Sequence, residues 1–213
     1  LVVVNVNPLY TPRELQHQLK DSGAVAIVIL ENFAHTLQQV IGRTAVRQVI
    51  VANMGETLGF PLGAIVNYVV RHKKRLVPRW SLPGHVAWKA ALSQGSGLAF
   101  SPPQVGAEDV ALLQYTGGTT GVAKGATLTH RNIVANILQV EACFQSMLAK
   151  VPGYADGNGQ LITVCALPLY HIFALTACFM LGARMGHLNI LVPNPRDIPG
   201  FIETLRGHKI HIF

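Results

Sequence analysis

Residues 115–132 read YTGGTTGVAKGATLTHRN. Gly117, Gly118, Gly121 and Gly125 crowd into this stretch with Thr116, Thr119, Thr120 and a single lysine, Lys124. An apolar run, VALLQY, leads into it, and a helical pattern opens at His130. Glycine has no Cβ to keep an anion off the backbone, so successive N–H groups can converge on one phosphate. Threonine hydroxyls add donors, and a lysine supplies a mobile charge for phosphate oxygens. The stretch reads as a nucleotide-phosphate cradle between a strand and a helix. It is not G-x-x-x-x-G-K-[ST], because Lys124 follows Ala123 and precedes Gly125, and it is not G-x-G-x-x-G.

Outward from the loop, strand-like runs alternate with helical patterns. VAIVIL (25–30) and RQVIVA (47–52) are short and continuously apolar, which predicts strands buried on both faces. ALLQYT (111–116), LITVCA (161–166) and HLNILV (187–192) repeat the theme. Thr11, Pro12 and Glu14 make a capping box with proline at the first helical position. Thr129 is placed to cap a helix whose apolar stripe is Ile133, Ile137, Val140, Phe144 and Leu148. Asp197 is placed to cap another, ending at Gly207. This order predicts an α/β fold built on parallel, helix-covered sheet. Residues 93–109 and 152–160, rich in Gly, Pro, Ser or Asn, read as surface loops.

Half of the 213 residues are apolar and 13% are charged, which suits a protein with a substantial core. No apolar run reaches the roughly 18–20 residues that span a bilayer, and IFALTACFMLGA (172–183) falls short. No basic region precedes VVV, so no signal-peptide pattern is read. Cys143, Cys165 and Cys178 lack CxxC spacing and sit among apolar residues, which predicts buried, reduced thiols. Nine histidines show no H-x-x-x-H or H-E-x-x-H spacing for a metal. The net charge is +7, and RHKKRLVPR (71–79) follows an apolar run, GAIVNYVV. That pairing suits a solvated helix end and also a helix leaning on an anionic membrane surface. Nucleic acid is not an expected partner, since only Trp80 accompanies the cations. The chain opens in one strand-like run and closes in another, HKIHIF, so a segment of a longer protein is expected.

The 115–132 stretch resembles, almost residue for residue, the phosphate-loop signature of the adenylate-forming superfamily. VVVNVNPLYTPRELQHQLKDSGA (2–24) and NPRDIPGFIETL (194–205) look like segments of its bacterial long-chain fatty acyl-CoA synthetases. LPLYHIFALT (167–176) looks like the family's aromatic–histidine motif. The resemblance implies part of the large N-terminal, AMP-binding domain over residues 1–213. It implies ATP, Mg²⁺ and CoA as cofactors and co-substrates, with a long-chain fatty acid activated through an acyl-adenylate. Tyr115, Thr116, Gly117, Gly118, Thr119, Thr120, Gly121, Val122, Ala123, Lys124, Gly125 and Ala126 are then the nucleotide-binding residues. Thr116 is also the candidate neighbour of Mg²⁺. Tyr170 and His171 become the acyl-site residues, with Lys124 and His171 the catalytic candidates. His171 as a general base is the weaker assignment, because a carboxylate is already ionised at neutral pH. A cytoplasmic enzyme is the expected setting, with peripheral attachment to the inner face of the membrane left open.

Departures matter too. Gly117 and Ala123 stand where many members carry serine and proline. Thr-Glu and Thr-Gly-Asp, the family's later metal and ribose motifs, do not occur, and no second lysine on a mobile C-terminal lid domain is recognised. The segment is therefore expected not to turn over alone. An aryl- or amino-acid-adenylating ligase stays open at this stage, as does a non-catalytic phosphate-binding or membrane-surface module. The amino-acid branch is disfavoured because Leu175 and Thr176, not an aspartate, follow the aromatic–histidine motif.

Overall fold

In the computed structural model, residues 1–117, 122–150 and 159–213 are described, the Ser146 side chain apart. Gly118, Thr119, Thr120 and Gly121, named above as nucleotide-binding, lie outside the described residues, as does most of the 152–160 loop. The chain divides into two compact units. One comprises Val6–Gln104 with Tyr115–Gly125; the other comprises Leu1–Asn5, Val105–Gln114 and Ala126–Phe213. Among the described residues eight strands run in chain order: β1 (Val3–Val4), β2 (Ala26–Leu30), β3 (Gln48–Ala52), β4 (Val86–Ala87), β5 (Val110–Thr116), β6 (Lys124–Thr129), β7 (Ile162–Cys165) and β8 (Leu188–Leu191). Seven α-helices accompany them among the same residues: α1 (Pro12–Asp21), α2 (Ala34–Gln38), α3 (Leu62–Tyr68), α4 (Trp88–Ser96), α5 (His130–Leu148), α6 (Leu181–Met185) and α7 (Ile198–Arg206).

The first unit holds a parallel sheet in the order β2–β3–β4, registered Ala26 to Gln48 through Leu30 to Ala52, then Ile50 to Val86. Its core gathers Leu15 and Leu19 of α1, Leu37, Val40, Val49, Val51 and Leu82. Helix α1 starts where the capping box predicts: the Thr11 backbone N–H donates to Glu14 Oε2 at 2.8 Å, and the Glu14 N–H returns to Thr11 Oγ1 at 3.4 Å. Hydrogen bonds from the Thr11 hydroxyl, at 2.7 Å, and then from its backbone N–H hold the exposed Glu14 carboxyl below its ordinary pKa. The two-face burial expected of 25–30 is not met. Ile27 is buried, but Val25, Ala26 and Val28 are exposed, because the strand packs α1 and α2 on one side only.

Helix α3 continues into a π-helical turn, Val69–Lys73, that carries the basic cluster. Arg71 is not a free cation. Its guanidinium pairs with the buried Glu31 carboxylate at 2.8 Å and donates to Asn53 Oδ1 at 2.7 Å, while Lys73, Lys74, Arg75 and Arg79 are exposed. Glu31 could not be buried charged without such a partner.

In the second unit β1 pairs parallel with β5, Val3 against Leu112, and β7 with β8, Ile162 against Leu188. The strand order of the larger sheet is β1–β5–β6. Thr129 caps α5 with Asn132 as its reciprocal partner. The predicted stripe faces inward, with Ile133 and Leu148 buried and Ile137, Val140 and Phe144 half-buried. Cys143, next to that stripe, is exposed on α5, which corrects the expectation of three buried thiols. Cys165 is buried, and Cys178, half-buried beside it, has its thiol pushed up to about 11 by burial and by Cys165. Asp197 caps α7 through the Gly200 N–H, and Gly207 closes the helix. No helix among the described residues is long and apolar enough to cross a membrane.

Candidate functional site

The loop's two ends belong to the first unit. At the entering end, β5 delivers Tyr115 inward and Thr116 outward, the alternation of a strand. Tyr115 is buried, and its hydroxyl donates to Asp21 Oδ2 at 2.6 Å. Burial, and then the bond to and charge of Asp21, push the phenol well above its ordinary pKa, so it stays protonated at any physiological pH. This hydroxyl is therefore committed to helix α1. Thr116 and Gly117 are exposed, and nothing would lie within 4 Å of a Cβ at Gly117.

At the leaving end the Ala123 carbonyl accepts from His17 Nε2 at 2.9 Å. Lys124 opens β6 with its side chain exposed, Val122 is exposed, and Ala123 is half-buried. Gly125 is required by packing. A Cβ there would stand 2.9 Å from Tyr115 Cζ and 3.0 Å from Cε2, inside the distance real Cβ atoms keep. The tyrosine ring lies against that position, so Tyr115 and Gly125 of the signature answer to each other.

Among the described residues no three His, Cys, Asp or Glu side chains gather to hold a metal. Mg²⁺ needs no such cage: beside substrate phosphates it keeps several waters and takes few protein ligands, one of which is a Ser or Thr hydroxyl in other phosphate-binding loops. The Thr116 hydroxyl, a hard oxygen exposed at a strand end, fits that part.

Tyr170 and His171 belong to the second unit. They follow β7 in a turn, where the His171 N–H donates to the Pro168 carbonyl at 2.9 Å. Gln114, buried on β5, donates Nε2 to the Tyr170 carbonyl at 3.2 Å. The His171 ring is exposed, and its Nδ1 accepts from the Phe173 N–H at 3.3 Å, which fixes the proton of a neutral ring on Nε2. The helix that follows is widened to π-helix over Ala174–Met180, and Thr176 Oγ1 donates back to the Ile172 carbonyl at 2.9 Å. Hydroxyl back-bonding of this kind loosens a helix.

The sequence model of AMP-binding enzymes matches residues 1–213. The chain belongs to that family. It is 53% identical over 205 residues to a long-chain-fatty-acid–CoA ligase of Salmonella typhimurium, covering 96% of this chain and 35% of that protein. The chain thus spans about a third of the length of the curated relatives it matches. A long-chain-fatty-acid-CoA ligase structure from Archaeoglobus fulgidus is 27% identical, with TM-score 0.57 over 95% of this chain and 33% of that one. ATP-bound MatB from Rhodopseudomonas palustris, 20% identical, has TM-score 0.61 over 95% and 32%. That likeness is one of fold.

For an AMP-binding chain, His17 and Asp21 are the residues that sequence reasoning missed. Their signal was weak: two polar residues one turn apart on an amphipathic helix. A groove of about 560 Å³ along α5, lined by Val105, Ala107, His130, Val134 and Leu138, includes none of the nucleotide or acyl residues named above. The rim residues His130 and Arg131 start α5, and Arg131 pairs with Glu108 at 2.5 Å.

Proposed function

We propose that the full-length protein activates long-chain fatty acids with ATP and passes the acyl group to CoA, and that this chain is part of its N-terminal, AMP-binding domain. The observation that carries the reading is the 115–125 loop: glycines and hydroxyls between two points tied to one helix, followed at once by an exposed lysine. The 53% identity to a long-chain-fatty-acid–CoA ligase supports the substrate class. In the first step a carboxylate oxygen bonds to the α-phosphorus of ATP while the bond to the bridging oxygen breaks and pyrophosphate leaves. In the second, the CoA sulfur attacks the acyl carbonyl carbon, the thiol gives up its proton, and AMP departs.

Negative charge grows on the leaving phosphates in the first step, and donors already aimed at them lower its barrier. Lys124, the hydroxyls of Thr116, Thr119 and Thr120, and the backbone of Gly117, Gly118, Gly121 and Gly125 are assigned to that task. Val122, Ala123 and Ala126 complete the loop. Thr116 would help to hold Mg²⁺, which would supply further charge neutralisation when bound. Tyr170 and His171 are assigned to the carboxylate end of the fatty acid, where His171 orients the acid by hydrogen bonding. The reaction is assigned to the cytoplasm. The exposed Lys73, Lys74, Arg75 and Arg79 are assigned to the anionic inner face of the membrane, where fatty acids enter.

Fatty-acid-dependent pyrophosphate release by the full-length protein tests the proposal. Release with long-chain acids, weakened by Lys124→Ala, is expected. Release only with aryl or amino acids would move the substrate class, and none with any carboxylic acid would leave a binding module.

A further inference from the structure

We infer that helix α1 is a two-point clasp for the phosphate loop, with His17 and Asp21 as positioning residues that set the loop's two ends. His17 and Asp21 stand four apart on α1, one turn along a helix that rises about 1.5 Å per residue. His17 holds the leaving end at the Ala123 carbonyl, and Asp21 holds the entering end at the Tyr115 hydroxyl. The residues between those two anchors, 116–122, carry the glycines and threonines of the cradle.

Asp21 is out of place by the rules of an isolated helix. It is the last helical residue of α1, where the macrodipole disfavours a carboxylate. A side chain that breaks a local rule usually answers to something outside its own element, and here that is the buried Tyr115 phenol. The helix is itself a firm support, since Leu15 and Leu19 are buried in the core of the same unit. A loop whose ends are fixed before its ligand arrives loses less conformational freedom on binding. The clasp should therefore act on nucleotide affinity, and through the loop alone. Neither residue needs to touch a phosphate.

The inference rests on the loop being the seat of ATP phosphates. The test is steady-state pyrophosphate release by the full-length protein, with ATP and long-chain fatty acid varied in turn, and with the melting temperature of each variant recorded. His17→Ala and Tyr115→Phe each remove one tie. Each is expected to raise KM for ATP roughly tenfold, the weight of one hydrogen bond, with KM for the fatty acid unchanged. The double variant should exceed either. His17→Gln, whose amide nitrogen stands where Nε2 does and can donate to the same carbonyl, should regain most of the loss. An active wild type whose His17→Ala and Tyr115→Phe variants keep their KM for ATP would overturn the clasp and spare the functional reading. So would KM values for both substrates rising together with a falling melting temperature and no rescue by His17→Gln. A wild type that releases no pyrophosphate with any carboxylic acid would instead defeat the functional reading, and the clasp's role with it.

Discussion

At the 115–125 loop two side chains of α1 reach partners 106 and 94 residues away, Ala123 for His17 and Tyr115 for Asp21. At Tyr170–His171 the bonds are mostly short-range backbone ones: Pro168 to His171, His171 to Leu175, and Phe173 back to the His171 ring. Gln114 comes from elsewhere, and its Nε2 reaches the Tyr170 carbonyl, not a side chain. The loop is thus positioned by the core of its unit through α1. The histidine is positioned by its own turn, and its ring is left exposed. Damage to the loop's ties and packing should propagate into stability. Damage to the histidine should stay local.

The strongest test of that contrast removes the loop's charge and leaves its ties alone. Lys124→Ala in the full-length protein should lower kcat/KM for ATP roughly 100-fold, the scale of one lost donor to developing charge. Its melting temperature should hold, because the side chain is exposed. A fall in stability without a fall in rate would reverse the assignment. Gly125→Ala attacks the other property. The added methyl meets the Tyr115 ring, so an overpacking cost of about 1–3 kcal/mol is expected in denaturant unfolding. Unchanged stability would mean that the ring can move aside, and that the loop is less firmly seated than its ties imply.

His171→Ala should cost about tenfold in fatty-acid-dependent rate, one hydrogen bond's worth. Stability should move by less than about 0.5 kcal/mol, the range of exposed substitutions. A large stability loss would erase the contrast with the loop.

The smallest effect concerns acid. His187 Nδ1 lies 3.0 Å from Thr163 Oγ1, and its Nε2 is buried without a hydrogen-bond partner among the described residues. Burial holds this imidazole below its ordinary value of 6.5. The unfolded chain therefore binds a proton that the folded one refuses. Stability is full above the unfolded value and is lost as pH falls from there toward the folded value. Between about pH 7 and about pH 5.5, His187→Gln should lose roughly 1–2 °C less in melting temperature than wild type. Equal losses would clear His187 of any part in acid sensitivity.

Much of this was legible in advance, for identifiable reasons. The capping boxes at Thr11 and Thr129 and the five-residue stripe of α5 are local codes, read within one or two turns. β2, β3, β5, β7 and β8 fall within a residue of their apolar runs. β6 did not declare itself, because KGATLT has neither an apolar run nor clean alternation. Exposure of Val28 was hidden because an apolar residue reads the same whether or not its face is covered. The tie between Tyr115 and Asp21 was hidden for a deeper reason. Periodicity places a residue on a helix but names no partner 94 positions on, so Tyr115 read as a nucleotide ligand while its hydroxyl had another bond to make.

The chain leaves one unit after Asn5, returns to it at Val105, departs again at Tyr115 and comes back at Ala126. Its consequence is for synthesis. When Gln104 has been made, every residue of α1 and of the β2–β3–β4 sheet is present, but neither Tyr115 nor Ala123 has yet appeared for Asp21 and His17 to hold. Val3 likewise waits for Leu112. The nascent chain must keep a finished support open for a loop still to come, and closing such distant contacts is the slow part of folding. No single cleavage yields either unit whole, so an expression vector meant to isolate one has to rejoin segments, not merely shorten the reading frame.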